Sequence, residues 1–164
     1  MKKWFWVSLI VIVLDQLTKH IATENLVLFR PVEIMPLFNL TLMHNTGAAF
    51  SFLSDQGGWQ RWFFTVIAIG VSVALVIWII KLEKGERLQA LSLAMILGGA
   101  IGNVIDRVRF GYVVDFLDFY WGDAHFPAFN IADSAISVGA VLLILTSFFG
   151  SEGKPDSSKS SSDS

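Results

Sequence analysis

Residues 61–80 read RWFFTVIAIGVSVALVIWII, and after Arg61 the run carries no charge at all. A helix needs about 20 mostly apolar residues to cross a bilayer, so this stretch alone places the chain in a membrane. Three more stretches qualify: residues 4–22, 88–105 and 131–149, the last two slightly short. The composition agrees: 54% of the chain is hydrophobic and 16% charged, where a soluble domain has about 25% charged residues. Lys2 and Lys3 ahead of an apolar run also fit a signal peptide. Asp15-Gln16-Leu17-Thr18-Lys19 stands where a small-residue cleavage site belongs, so an uncleaved first helix is the better reading.

Basic residues in short loops orient such a bundle. Lys2, Lys3, Lys81, Lys84, Arg87, Lys154 and Lys159 fall on one side if the chain crosses four times. Arg30, Arg61, Arg107 and Arg109 fall on the other, on longer and more acidic connections. Both termini are therefore expected in the cytoplasm. The Ser-rich stretch 150–164 is expected to be a disordered cytoplasmic tail, leaving residues 1–149 as a single integral membrane domain. The connection 26–52 alternates Val, Ile, Phe, Leu and Thr and is broken by Pro31, Pro36 and Asn45-Thr46-Gly47, a pattern of short strands. The connection 110–129 is aromatic, which suits the interfacial belt. The expected fold is mainly α: four transmembrane helices with a small extracytoplasmic β-sheet cradle.

Against that background two acids stand out. Asp115 lies in Val113-Val114-Asp115-Phe116 and Asp133 in Phe129-Asn130-Ile131-Ala132-Asp133-Ser134, each beside a long apolar segment on the same outer side. Carboxylates at membrane depth are costly and mark functional sites. Two that meet share one proton, because both cannot ionise at close range. The bland alternatives are a loop acid for Asp115 and, for Asp133, first-turn stabilisation of a helix that Asn130 caps. Asp15 and Lys19, at i and i+4, read as a helical ion pair. Asn103, Asp106 and Arg107 share one helix face; an Asn there usually bonds a neighbouring helix, and Asp106 beside Arg107 reads as a solvated pair. Asp118 and Asp123 also read as solvated.

Several chemistries are disfavoured. There is no cysteine, hence no thiolate nucleophile or disulfide. His20, His44 and His125 have no metal-ligand spacing, so no metal and no cofactor is expected. Serine-elbow and GxGD patterns are missing. A Ser–Lys dyad on Lys19 has to compete with Asp15. The net charge of −2 argues against a nucleic-acid partner. A proton-coupled transporter using Asp15, Lys19, Asp106 and Asp133 is the alternative from another class. It fits less well, because the polar groups gather at one end of the spans.

The blocks Asp15-Gln16 with Lys19, Asn45-Thr46-Gly47-Ala48-Ala49-Phe50, Gly98-Gly99-Ala100-Ile101-Gly102-Asn103 with Asp106-Arg107, Val114-Asp115-Phe116, and Phe129 to Ser134 resemble the bacterial prolipoprotein signal peptidase (signal peptidase II) family. The resemblance covers nearly all of the chain apart from the tail. It implies an aspartyl endopeptidase of the inner membrane, with Asp115 and Asp133 as the catalytic dyad. Supporting roles fall to Asp15, Lys19, Asn45, Asn103, Arg107 and Asn130. The substrates implied are prolipoproteins, cut just before a diacylglyceryl-modified cysteine. The resemblance also implies sensitivity to globomycin; membrane lipid and lipidated precursors are the expected partners, and a monomer the expected state.

Overall fold

A computed structural model describes residues 2–47 and 59–149. The expected tail 150–164, and the part of the first connection from 48 to 58, lie outside the described residues. After a 3-10 turn at Lys2–Trp4 come α1 (Phe5–Asn25), β1 (Pro31–Met35), β2 (Phe38–Asn45), α2 (Trp59–Lys81), α3 (Arg87–Phe110), β3 (Val113–Trp121), β4 (Ala124–His125) and α4 (Ile131–Phe149). The architecture is the mainly helical one expected, with a small antiparallel sheet.

Helix α3 is the centre of the bundle and packs against the other three. Small residues let them approach. A Cβ on Gly98 would come within 2.8 Å of the Ser8 carbonyl oxygen on α1, and one on Gly139 within 2.8 Å of the Ser92 carbonyl on α3. In lipid, where apolar surface alone gives no drive to associate, such close backbone packing and interhelical hydrogen bonds hold helices together. Ser8 Oγ donates to the Ala94 carbonyl at 2.7 Å. A dry cluster of Leu75, Ile79, Leu82, Leu93 and Leu97 fills the end near the α2–α3 turn, while Ile10, Val13, Leu17, Val66, Val73, Ile77, Val141 and Ile144 face outward.

α3 runs five residues beyond the expected end at 105, because Gly111 is what stops it. Gly111 has φ 87° and returns its N–H to the Arg107 carbonyl, a left-handed cap that glycine adopts without steric cost. Three helices, Lys2–Asn25, Arg61–Lys81 and Arg87–Phe110, are long and apolar enough to cross a membrane. α4, with 19 residues from Ile131 to Phe149, extends about 28 Å at 1.5 Å per residue. Its start lies beside Asp15, since Ala132 N–H donates to Asp15 Oδ1. Asp15 stands ten residues before the end of α1, about 15 Å along the axis. α4 therefore begins in a recess below the rim of the bundle.

The sheet roofs that recess. Its order is β1-β2-β3-β4, so both connections contribute strands. The second connection is more than an aromatic belt: residues 113–121 form its longest strand. Aromatic side chains obscured this strand because they suit interface and sheet equally well. The Pro36-Leu37 corner, with Leu37 at φ 74°, joins β1 to β2. β2 pairs with β3 with Met43 opposite Asp115 and Asn45 opposite Val113, after a bulge between Leu40 and Met43. Val114 and Phe116 pack with Ala22 and Leu42, which seats the sheet on the end of α1.

Candidate active site

Residues 115 and 133 are linked through Asn130, which ties β3 to the first turn of α4. Asn130 is the hinge of the arrangement. Its Oδ1 accepts the Asp133 N–H at 2.9 Å and its own N–H donates to Asp133 Oδ2 at 3.3 Å, a reciprocal cap of α4. Its Nδ2 donates to Asp115 Oδ1 at 2.7 Å. One buried side chain thus caps a helix that starts with Asp133 and holds Asp115. Capping, the bland reading of Asp133, and convergence with Asp115 are both present, because the same amide has an oxygen for one and a nitrogen for the other.

Three asparagines repeat a single device. An amide oxygen occupied by a donor leaves its Nδ2 to face an acceptor. Asn45 Oδ1 accepts the Gly47 N–H at 2.9 Å, and its Nδ2 donates to Asp115 Oδ2 at 3.0 Å. Asn103 Oδ1 accepts from Lys19 Nζ at 2.9 Å, and its Nδ2 donates to Asp133 Oδ1 at 2.7 Å. Asn130 does likewise with the Asp133 N–H. Both oxygens of each carboxylate therefore receive a donor, Asp115 from β2 and the α4 cap, Asp133 from α3 and the α4 cap.

Asp115 is 2% exposed. Burial pushes its carboxyl up to about 6; the Asp133 charge adds to the rise, while the Asn45 and Asn130 hydrogen bonds and the more distant Lys19 oppose it. Asp133 is less buried. Arg107, half-buried on α3, is coupled electrostatically to Asp133, Asp115 and Asp106. Its guanidinium lies 5.9 Å from the Phe64 ring centre. Among the described residues it makes no hydrogen bond to either carboxylate.

Asp15 and Lys19 lie one layer deeper. They form the expected ion pair at 2.8 Å, but with a third member: Lys19 Nζ is also 2.9 Å from Asp106 Oδ2. Asp106 is 1% exposed and pairs with Lys19, where the sequence reading had placed it in solvent beside Arg107. Asp106 and Arg107 flank Asn103 on opposite sides of one helix face, so neighbours in the chain point to different partners. Gln16 was not singled out, yet its Nε2 donates to Asp106 Oδ1 at 2.9 Å, to the Gly102 carbonyl and to Asp15. Its signal was there: a polar residue next to Asp15 inside a span. Among the described residues Lys19 Nζ contacts Asp15, Asp106 and Asn103 and no serine, so it forms no Ser–Lys dyad.

Asp118 also departs from expectation, being 2% exposed. Burial would raise its carboxyl, but hydrogen bonds from His125, Thr41 and Asn39 outweigh that and hold it below the usual carboxylate range. It accepts from Thr41 Oγ1 at 2.7 Å and faces His125 Nδ1 at 2.8 Å, which ties β2, β3 and β4 together at the far end of the sheet. Asp123 is exposed, as expected. Among the described residues no group of three His, Asp or Glu side chains is placed to hold a metal ion.

Residues 7–149 match the family model described as signal peptidase (SPase) II. The chain belongs to the signal peptidase II family. The lipoprotein signal peptidase of Shewanella oneidensis is 51% identical over 154 residues, covering 94% of this chain and 91% of that protein. That of Teredinibacter turnerae is 55% identical over 150 residues, covering 92% and 89%. A bacterial membrane enzyme solved by the in meso method at 1.9 Å resolution superposes with a TM-score of 0.80 at 34% identity, covering 91% of this chain and 94% of that one. This signal peptidase II is accordingly a membrane peptidase, and removal of prolipoprotein signal peptides is the reaction its site has to perform. Nothing favours the transporter alternative.

Proposed function

We propose that this signal peptidase II is an aspartyl endopeptidase whose catalytic pair is Asp115 and Asp133, cutting its substrates just before a lipid-modified cysteine. The observation that carries the reading is the Asn130 bridge, which donates to both carboxylates in a recess roofed by the sheet. Asp115, buried and raised to about 6, holds the shared proton. Asp133, at the positive end of α4 and near Arg107, is the base.

A water between them loses a proton to Asp133 as its oxygen bonds to the scissile carbonyl carbon, while Asp115 gives its proton to the carbonyl oxygen. When the tetrahedral intermediate collapses, that proton returns to Asp115. The C–N bond breaks and the leaving amine takes the proton held by Asp133. Asn45, Asn103 and Asn130 keep both carboxylates aimed throughout. Arg107, the one cation of the site free of carboxylate hydrogen bonds among the described residues, supports binding of the peptide backbone. Acyl chains on the substrate stay in the bilayer, which requires a lateral opening between helices rather than a soluble pocket. The site belongs at the extracytoplasmic end, with both termini in the cytoplasm.

The test uses the purified enzyme on a lipidated precursor and its unlipidated form. Asp115→Asn and Asp133→Asn should each remove turnover while remaining folded, and the double variant should be scarcely worse than either, since members of one catalytic unit are not additive. Near-normal cleavage by either folded single variant removes that residue from the pair. Equal cleavage of both precursors by the wild type counts against lipid-dependent specificity.

A further inference from the structure

Lys19 is 3% exposed, and its ammonium is fully committed: Asp15 at 2.8 Å, Asp106 at 2.9 Å and the Asn103 oxygen at 2.9 Å. An ammonium has three N–H bonds, so none remains for a substrate. The third of these contacts is the informative one. An asparagine amide can face either way round. In one orientation it offers Asp133 a donor; in the other it presents an oxygen to a carboxylate, which is repulsive. The ammonium against Oδ1 at 2.9 Å, with Asn130 Nδ2 as a second and longer donor there at 3.2 Å, favours the first.

We propose that Lys19 is a positioning residue for Asp133 and acts through Asn103, with Asp106 and Gln16 holding it in place. This rests on the assignment of Asp133 to the catalytic pair. Asp106 receives Lys19 and the Val114 N–H on the same Oδ2, the latter at 3.0 Å, so it also pins β3 one residue before Asp115. Gln16 Nε2, on Asp106 Oδ1 at 2.9 Å, fixes the carboxylate that serves both. Asp15 completes the cluster by receiving the Ala132 N–H at 3.0 Å, one residue before Asp133. The buried cluster thus touches the chain beside each catalytic aspartate and reaches one of them through an amide, without touching substrate.

A charge cluster that only stabilised the bundle would give a different signature, which a double-mutant cycle separates. Lys19→Met, Asn103→Leu and the double variant are purified, and kcat, KM and Tm are measured for each. Lys19→Met should lower kcat by about 10- to 100-fold, the range typical when a residue orienting an active ligand from behind is lost, with KM unchanged. In the Asn103→Leu background the same change should cost less than about 2-fold, because the residue it acts through is already gone. Independent, multiplicative losses of kcat overturn the proposal, as does a fall in Tm with kcat per folded molecule intact. Should Lys19→Met fail to fold, Gln16→Met preserves every charge and removes only the amide's hydrogen bonds to Asp106, Gly102 and Asp15. It should lower kcat several-fold in the wild-type background and not in Asn103→Leu, and an unchanged kcat refutes the proposal. Asp133→Asn runs alongside: activity in that variant breaks the catalytic assignment itself, whereas an inactive Asp133→Asn with a multiplicative cycle breaks only the role of Lys19.

Discussion

At the residue scale, the site solves the problem of keeping two carboxylates close in a poorly solvated place. Each oxygen is given a neutral amide donor, and the cations stay a layer away. A direct Lys or Arg hydrogen bond would favour the ionised form of either acid and work against the proton sharing proposed for the pair. Neutral amides orient the acids with less effect on their protonation. The consequence is a pH dependence. Asp115 is raised to about 6 by burial first and the Asp133 charge second. A raised carboxyl keeps its proton below that pH and loses it above, so kcat/KM of the free enzyme should fall as pH rises through about 6. The limb belongs to the pair and not to one residue. Initial rates on a lipidated precursor at subsaturating concentration check it. A profile level across that range would mean the proton is not held on Asp115.

At the element scale, function depends on how closely α1, α3 and α4 approach. Gly102 shows this most directly, since a Cβ there would lie 2.6 Å from Asp15 Oδ2. Asp15 has no room to yield, being bound to Lys19, Gln16 and the Ala132 N–H. Gly102→Ala should therefore destabilise the protein by about 1–3 kcal/mol, the usual cost of overpacking, and lower kcat. Gly70 on α2 has nothing within 4 Å of where its Cβ would stand. Gly70→Ala should be neutral or slightly stabilising, as Ala is the better helix former. Thermal unfolding in detergent compares the two. Equal Tm values would show that α3 can shift away from Asp15 at little cost.

At the scale of the whole molecule, the sheet, the recess and the proposed catalytic pair share one end of the bundle, with Lys81, Lys84 and Arg87 at the other. If that basic end faces the cytoplasm, reporter fusions after Glu83 should read cytoplasmic and fusions near Asp123 extracytoplasmic. A cytoplasmic signal near Asp123 would put the pair on the wrong face for exported precursors. The placement of α4 belongs to the same design. Beginning about 15 Å below the end of α1, it brings Asp133 down into the recess while β3 carries Asp115 over it.

Much of this was legible along the chain. Uncharged runs near 20 residues dictate spanning helices whatever their neighbours, because no backbone polar group can be left unsatisfied in lipid. Asp115, Asp133 and Asn103 stood out as polar residues where polarity is costly, whereas Asn45 read as a turn signal and Asn130 as a helix cap, with site roles implied only by the family resemblance. What local sequence could not decide was partnership. Asp106 is next to Arg107 in the chain but pairs with Lys19 across two helices, and Asp118 is buried only because β2 and β4 close around it. The strand 113–121 was hidden among aromatics that suit an interface as well as a sheet. Which way each asparagine amide points, and hence which acid it serves, depends on a Lys, a Gly N–H and a helix cap from three different elements. Only the folded chain brings those together.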